Sequence, residues 1–330
     1  YQKIIKMGGK FKIKRKDEDC HTAIENHLVK KLGNIGKKVH TARSRNDQVK
    51  AALHLYMRDE ITRVIKLAGN LVVRLSRVKN AQMPGYTHTR KAMPSSFKLW
   101  SDAFTAGLKD DIRILKTALE MVNHNPLGSG AGYGVPIKID RNITKKALGF
   151  KDNMPVGYVQ NSRGKIEAFV LHSMLQVMLD LSKMASDLIL FSMPELGFVT
   201  LPDNLTTGSS IMPHKKNPDV LELVRASYPA VLGYLAQVEG VCGGLISGYH
   251  RDFQLTKEPL MRGIEITESC LKIMGAVVSG FRVNSENCRK ALTDDIYSAQ
   301  KAHRLVKKGM SFRDAYRKVK KELKKTDRTN

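Results

Sequence analysis

One apolar stripe constrains the fold of this chain more than any other feature of its sequence. Between residues 46 and 79 apolar side chains recur at the spacing of a helix, and no proline interrupts them. The stripe consists of Val49, Leu53, Tyr56, Met57, Ile61, Val64, Ile65, Ala68, Leu71, Val72, Leu75 and Val78. A helix of that length would extend about 50 Å. Because so long a stripe needs other long helices to bury it, the sequence predicts a helical bundle.

The same helical periodicity runs through most of the chain, whereas the alternation typical of strands is nearly absent. Further helices are predicted at residues 18–32, 95–123, 165–191, 218–241, 260–280, 294–307 and 311–325, with loops at 83–90 and 127–141. We therefore expect an all-α fold, with a long-helix bundle in the middle and smaller helical domains at the ends. The expected boundaries are 1–40 for the remainder of an N-terminal helical domain, 41–280 for the central bundle and 281–330 for a small C-terminal helical region.

The composition excludes several classes of protein. The chain has 330 residues, enough for one large or two ordinary domains, and it has no apolar run near the roughly 20 residues that span a bilayer. The cysteines, Cys20, Cys242, Cys270 and Cys288, lack the spacing of metal ligands. We therefore expect buried thiols in a reducing cytoplasm, no metal site and no membrane association. No nucleotide-binding motif occurs, and we expect no cofactor.

The net charge of +25 raises the question of nucleic-acid binding. The basic residues are spread over the chain without interleaved aromatic side chains, and they are dense only at 1–16 and 317–325. A solvated helical surface that attracts anionic substrates accounts for this distribution better than a nucleic-acid interface does. We therefore expect no nucleic-acid partner.

The stretch 207–219, TGSSIMPHKKNPD, combines hydroxyls, cations and a helix start. A glycine and two serines make a flexible segment, and two lysines follow. Asn217 is the predicted N-cap, with Pro218 at the first helical position and Asp219 facing the dipole. Because a helix N-terminus favours anions, such a site suits a reaction that builds negative charge on a carboxylate substrate. The alternative is an ordinary turn before a capped helix.

Four other polar strings point to ligand binding. HTARSRNDQV at 40–49 places arginines at the start of the long helix, where they can grip a carboxylate, although capping and surface charge explain the spacing equally well. MPGYTHTR at 83–90 contains a loop histidine, and NPLGSGA at 125–131 offers backbone N–H groups to an anion. YHRDFQLTKE at 249–258 collects tyrosine, glutamine and lysine, which a solvated turn would also allow.

These strings resemble the motifs of argininosuccinate lyase, a family of the fumarase/aspartase superfamily. In chain order the resembled motifs are HTGRSRNDQV, MPGYTH, NPLGSGA, GSSxMPxKxNP and YNKDLQEDKE. The resemblance implies a fumarase/aspartase-like bundle and a homotetramer whose active sites each draw on three subunits. It also implies cleavage of argininosuccinate to L-arginine and fumarate by anti β-elimination, a step of arginine biosynthesis that needs no cofactor.

The resemblance also assigns roles to individual residues. The implied catalytic residues are Ser209 as the base, Lys215 for charge stabilisation, His88 at the leaving group and Glu222 as a carboxylate that orients the histidine. The implied substrate-binding residues are Ser44, Arg45, Asn46, Thr87, Asn217, Tyr249, Gln254 and Lys257. Arg45 and Asn46 are expected at the succinyl carboxylates, and Tyr249, Gln254 and Lys257 at the arginine end. The backbone of residues 128–130 is expected to help stabilise the doubly charged aci-carboxylate formed by proton removal.

The sequence departs from the resembled motifs at Ala42, Thr89, Arg90, His214, His250, Arg251, Phe253, Leu255 and Thr256. His214 gives the MPHK string that adenylosuccinate lyases tend to carry. We also expect the chain to lack the N-terminal region that precedes residue 18 in the family. Two alternatives to argininosuccinate cleavage follow, namely an adenylosuccinate lyase-type enzyme that releases fumarate and a catalytically inactive, crystallin-like relative.

Overall fold

The computed structural model describes residues 6–326, and side chains up to residue 323. The outer ends of the expected terminal domains, including part of the basic segment 1–16, lie outside the described residues. Five helices of 24–31 residues dominate the described part: α3 (Arg45–Leu75), α4 (Phe97–Val122), α7 (Lys165–Ser192), α8 (Asp219–Cys242) and α9 (Lys257–Gly280). The shorter helices are α1 (Cys20–Leu32), α2 (Asn34–Lys37), α5 (Arg141–Leu148), α6 (Tyr158–Asn161), α10 (Ser285–Lys290), α11 (Ser298–Lys307) and α12 (Phe312–Thr326). The expected all-α class is confirmed.

Helix α3 carries the stripe on which the fold prediction rests. It begins one residue before the expected start and ends at Leu75 rather than at residue 79. Met57, Ile61, Val64 and Leu71 are at most 1% exposed, so this face of the helix is fully packed. Burying side chains of this size stabilises a fold by roughly 1.5–3 kcal/mol each.

The expected loop at 83–90 is wrong, because this segment forms most of a β-hairpin. Strands β1 (Gln82–Thr87) and β2 (Arg90–Ser96) pair antiparallel, with an irregularity between Gly85 and Tyr86. His88 and Thr89 form the two-residue turn, with φ of 52° and 57°. Two successive left-handed residues match the right-handed twist of the strands. Asn and Gly usually fill such a turn, and their absence here hid the hairpin in the sequence.

The remaining strands are two-residue pairs. They are β3 (His124–Asn125) with β4 (Asp152–Asn153), β5 (Val199–Thr200) with β8 (Arg282–Val283), and β6 (Thr207–Gly208) with β7 (Lys216–Asn217). Short 3-10 helices occur at Gly8–Lys10, Arg15–Asp17, Lys38–His40, Asp203–Leu205, Arg251–Thr256 and Asp294–Tyr297. The last of these splits the helix expected at 294–307.

The described residues fall into two compact units, each built from three stretches of chain. The first unit contains the chain up to Glu60 together with Ala118–Ala168 and Val238–Lys257. The second contains Ile61–Thr117, Phe169–Gln237 and the chain from Glu258 onward. Its aromatic cluster consists of Phe97, Trp100, Phe191, Phe198 and Phe281, with ring centroids 5.8–6.4 Å apart. The division into three domains remains a prediction.

Within residues 6–326, no helix combines the length and apolar character needed to cross a membrane.

Candidate active site

The start of α3 is tied to the glycine-rich loop by one buried carboxylate. Ser44 caps the helix, since its hydroxyl accepts from the Asn46 N–H at 3.2 Å while its own N–H donates to Asp47 Oδ1 at 3.0 Å. The N–H groups of Gly128 and Gly130 both donate to Asp47 Oδ2 at 3.0 Å. Burial raises the pKa of Asp47, and these backbone donors limit the rise. In the structure these donors hold the Asp47 carboxylate, and stabilisation of a substrate anion by the 128–130 backbone remains a prediction.

Arg45 lies beside the cap and is held by the first turn of α1. Its Nε donates to Asp19 Oδ2 and its Nη2 to Thr22 Oγ1, both at 2.6 Å. Asp19 is itself the N-cap of α1, accepting from the Thr22 N–H at 2.8 Å. These contacts fix the guanidinium at the place where two helix N-termini meet, which is a favourable environment for an anion.

The three residues expected at the arginine end come together in the 249–257 segment. The Lys257 ammonium donates to Gln254 Oε1 at 2.5 Å, and Gln254 Nε2 donates to the Tyr249 hydroxyl at 2.8 Å. The 3-10 helix Arg251–Thr256 brings these side chains together just before α9 begins. Burial lowers the pKa of Lys257, and the neighbouring Arg163 lowers it further. The result is a hydrogen-bonded row of polar groups that suits a ligand with several polar groups of its own.

Ser209 lies in the hairpin that β6 and β7 close. Its Oγ accepts from the N–H of Met212 at 3.1 Å and from the N–H of Ile211 at 3.3 Å. Donors to a hydroxyl oxygen favour its ionised form, so these two N–H groups are placed to stabilise negative charge on Ser209 Oγ. The tip of the loop is open to solvent, since Ile211 is 86% exposed.

The expected N-cap at Asn217 is wrong, and helix α8 begins one residue later than predicted. Asn217 is extended and pairs with Thr207 in the hairpin, so it is not available as a cap. The Pro218 carbonyl instead accepts from the N–H groups of Leu221 and Glu222 at 2.9 and 3.2 Å. The Thr207 hydroxyl donates to Asp219, which fastens the hairpin to the first turn of α8.

Two neighbouring lysines of this hairpin differ in their partners. The Lys216 ammonium lies 2.6 Å from Asp203 Oδ1, whereas Lys215 makes no ion pair within the described residues and is exposed. Glu222 is also exposed, one turn into α8. Of the pair, Lys215 is therefore the cation that can meet a substrate anion.

His88 and Thr87 lie at the tip of the β1–β2 hairpin, and both side chains are exposed. Left-handed backbone at a non-glycine residue is uncommon and occurs more often at functional sites. The Thr89 hydroxyl donates to the His88 carbonyl at 2.6 Å and fastens the turn.

The structure contains a buried ion cluster that the sequence did not predict, formed by Lys50, Arg163 and Glu167. Lys50 Nζ lies 3.2 Å and Arg163 Nε 3.3 Å from Glu167 Oε1, and all three side chains are at most 3% exposed. Burial lowers the pKa of Lys50 to about 8 despite the opposing effect of Glu167. The one sign of this cluster in the sequence is Lys50, a charged residue among apolar ones, one helical turn after Asn46.

The expected site residues divide between the two units. The first contains Ser44, Arg45, Asn46, Tyr249, Gln254 and Lys257, and the second contains Thr87, His88, Ser209, Lys215, Asn217 and Glu222. Among residues 6–326, no group of three or more His, Cys, Asp and Glu side chains is placed to hold a metal ion.

Comparison with known proteins relates this chain to one group of enzymes. The model of a lyase family matches residues 2–233. The argininosuccinate lyase of Thermotoga neapolitana is 49% identical over 317 residues, which are 94% of this chain and 79% of the relative. That of Bacteroides thetaiotaomicron is 42% identical over 320 residues, 94% of this chain and 71% of the relative.

Solved structures support the same fold. An EDDS lyase in complex with formate matches with a TM-score of 0.85 at 23% identity over 99% of this chain, which spans 65% of that protein. A fumarate lyase:delta crystallin from Brucella melitensis, bound to cobalt, matches with a TM-score of 0.76 at 20% identity, covering 92% of this chain and 69% of that protein. At these identities the likeness concerns the fold alone.

Proposed function

This chain belongs to the argininosuccinate lyase family of the fumarase/aspartase superfamily, and we propose that its own residues cleave argininosuccinate to L-arginine and fumarate by anti β-elimination. A base removes a proton from the carbon next to a succinyl carboxylate, and the C–N bond to the guanidinium then breaks. Proton removal leaves a doubly charged aci-carboxylate, so the main demand on the protein is electrostatic stabilisation.

Ser209 is the proposed base, and the observation that carries this role is its pair of backbone donors. A serine hydroxyl is too weak an acid to act as a base unless its ionised form is stabilised. The N–H groups of Ile211 and Met212 supply part of that stabilisation. The ammonium of Lys215, on the same hairpin, is the proposed source of the rest and of charge stabilisation for the aci-carboxylate.

The other roles follow the geometry of each unit. Arg45, which is fixed between two helix N-termini, is proposed to bind the succinyl carboxylates together with Ser44 and Asn46. The Tyr249–Gln254–Lys257 row is the proposed grip for the arginine end. Thr87 and Asn217 are proposed to bind substrate, and His88, oriented by Glu222, is proposed to protonate the leaving nitrogen. These last four side chains are wholly or partly open to solvent, which supports a site that other subunits complete.

A homotetramer with shared sites is part of the proposal, and helix α8 supports it. One face of α8 is packed, through Leu221, Val224, Val231, Leu235 and Val238. The other face combines small residues with Leu223 and Leu232, which are 68% and 43% exposed. A long helix with a second apolar face is typical of a helix that packs against other subunits.

We also place the protein in the cytoplasm, where its four free thiols would stay reduced. The curated relatives at 38–49% identity favour argininosuccinate over adenylosuccinate. Ser209, Lys215 and His88 are all present, which argues against the inactive, crystallin-like alternative.

The experiment that tests the base compares Ser209→Ala with Ser210→Ala. Ser210 is the neighbouring serine in the same hairpin, but the two N–H donors reach only Ser209. We expect Ser209→Ala to lower the rate of fumarate release about 10²- to 10⁴-fold. Ser210→Ala should remain near the rate of the unmodified chain, and both variants should keep their helix content and assembly. Near-normal turnover by Ser209→Ala would remove this residue as the base.

A further inference from the structure

The buried ion cluster contacts the 249–257 segment through one aromatic ring. The guanidinium Cζ of Arg163 lies 5.1 Å from the ring centroid of Phe253, which is 4% exposed. The ring in turn contacts Tyr249 and His250, with centroids 6.0 and 6.3 Å apart. A buried cation is attracted to the face of an aromatic ring, and the attraction is stronger away from water. Phe253 therefore connects Arg163 to the residue row proposed for the arginine end.

Among the described residues, no hydrogen bond joins the guanidinium to this segment. None of its nitrogens finds a hydrogen-bond acceptor among the described residues, although the residue is only 3% exposed. Glu167 forms an ion pair with the guanidinium, since its Oε1 lies 3.3 Å from Nε of Arg163. Glu167 is itself held by the Lys50 ammonium and by the Gly164 N–H, which donates to Oε2 at 2.8 Å. The planar group thus has two described contacts, the Glu167 carboxylate and the Phe253 ring.

We propose that Arg163 is a positioning residue that sets affinity for the arginine end of the substrate. It acts through Phe253, whose ring fixes the backbone between Tyr249 and Lys257 and so keeps their hydrogen-bonded row in register. The resembled motif has leucine where this chain has Phe253, so the aromatic contact is a feature of this chain rather than of the motif. The identity of the ligand rests on the proposed function, whereas the positioning rests on the contacts described above.

The test uses Phe253→Leu, since removing the buried charge of Arg163 outright would endanger the fold. Leucine is the residue of the resembled motif and keeps the site apolar while removing the ring. We expect the dissociation constant of L-arginine, measured by titration calorimetry, to rise about 10-fold, equivalent to about 1.4 kcal/mol. In the synthetic direction the KM for arginine should rise equally, while the KM for fumarate should stay within about twofold.

Phe150→Leu is the matched control. Phe150 is 5% exposed, belongs to the same compact unit and has the Arg58 guanidinium 5.3 Å from its ring centroid. The variant therefore removes the same ring, also from a cation–π contact, elsewhere in the unit. We expect it to lower stability to a similar extent and to leave the dissociation constant of arginine unchanged.

A double-mutant cycle tests whether Arg163 acts through Phe253. Arg163→Lys keeps the charge beside Glu167 but loses the planar group, and we expect it to weaken arginine binding selectively. Combined with Phe253→Leu it should add little, because both changes break one contact. Additive effects, a fumarate KM that rises as much as that of arginine, or an equal effect of Phe150→Leu would overturn the inference. Arginine binding that responds as expected in a chain that releases no fumarate would support the inference and overturn the proposed function. A chain that binds no arginine would overturn both.

Discussion

Replacing Glu167 with glutamine removes the only carboxylate of the buried ion cluster. The variant leaves Lys50 and Arg163, with side chains 0% exposed, without their shared counter-ion. Arg163 cannot lose its proton, so its buried charge should cost about 3–5 kcal/mol. Lys50 can lose its proton, and because its pKa is about 8, this should add only about 1 kcal/mol at pH 7. We expect Glu167→Gln to lower the free energy of unfolding by about 4–6 kcal/mol.

The pH dependence of this loss separates the two cations. The pKa of Lys50 in the folded chain, about 8, lies below its ordinary value of 10.5. The Glu167 carboxylate opposes this decrease, and it stabilises the protonated form of Lys50 while the pH is below about 8. Its contribution to the free energy of unfolding through Lys50 disappears as the pH rises through 8. The loss caused by Glu167→Gln should shrink by about 1 kcal/mol between pH 7 and pH 9, while the Arg163 share remains.

Glu268→Gln provides the matched control in denaturant unfolding at fixed protein concentration. Glu268 is 6% exposed and also holds two cations, Arg63 at 3.3 Å and Lys272 at 3.2 Å, but those side chains are 53% and 57% exposed. Water can solvate them once the carboxylate is gone, so we expect a loss of at most about 1 kcal/mol. A loss from Glu167→Gln no larger than that of the control would refute the reasoning.

Three further predictions concern the site and its support. Lys257→Met should lower kcat/KM for argininosuccinate by an amount equivalent to about 2–5 kcal/mol. The assembly, measured by light scattering, should remain intact. Unchanged kinetics would show that Lys257 does not bind the substrate. Mixing His88→Asn chains with Ser209→Ala chains should restore part of the activity that each lacks, and failure of every mixed assembly would count against shared sites. Gly164→Ala should destabilise the chain, because φ is +79° and the added Cβ would overlap Sγ of Cys242, whereas Gly157→Ala, with open space around it, should not.

The helices could be read from the sequence because one periodicity dominates it. The apolar stripe of α3 predicted a packed helix, and the observed bounds, Arg45–Leu75, differ from the expected ones mainly at the C-terminal end. The hairpin around His88 was missed because its turn lacks glycine, and its shape depends on pairing with residues that follow the turn.

The sequence indicated which segments carry the candidate site residues, but it did not indicate which side chains those residues contact. The row from Tyr249 to Lys257 could be expected as a cluster, since its members are close in sequence. The Asp47 bonds to the glycine loop join residues more than 80 positions apart, and the pairing of Lys50 with Glu167 spans 117. No local pattern predicts such contacts, so the partner of the glycine loop could not be named from the sequence.

Fumarate release, followed by ultraviolet absorbance with argininosuccinate and adenylosuccinate offered separately, tests the central claim most directly. We predict release from argininosuccinate, with arginine formed in equal amount, and none from adenylosuccinate. Release from adenylosuccinate alone would contradict the assignment and favour the other lyase. Release from neither would favour the inactive, crystallin-like alternative.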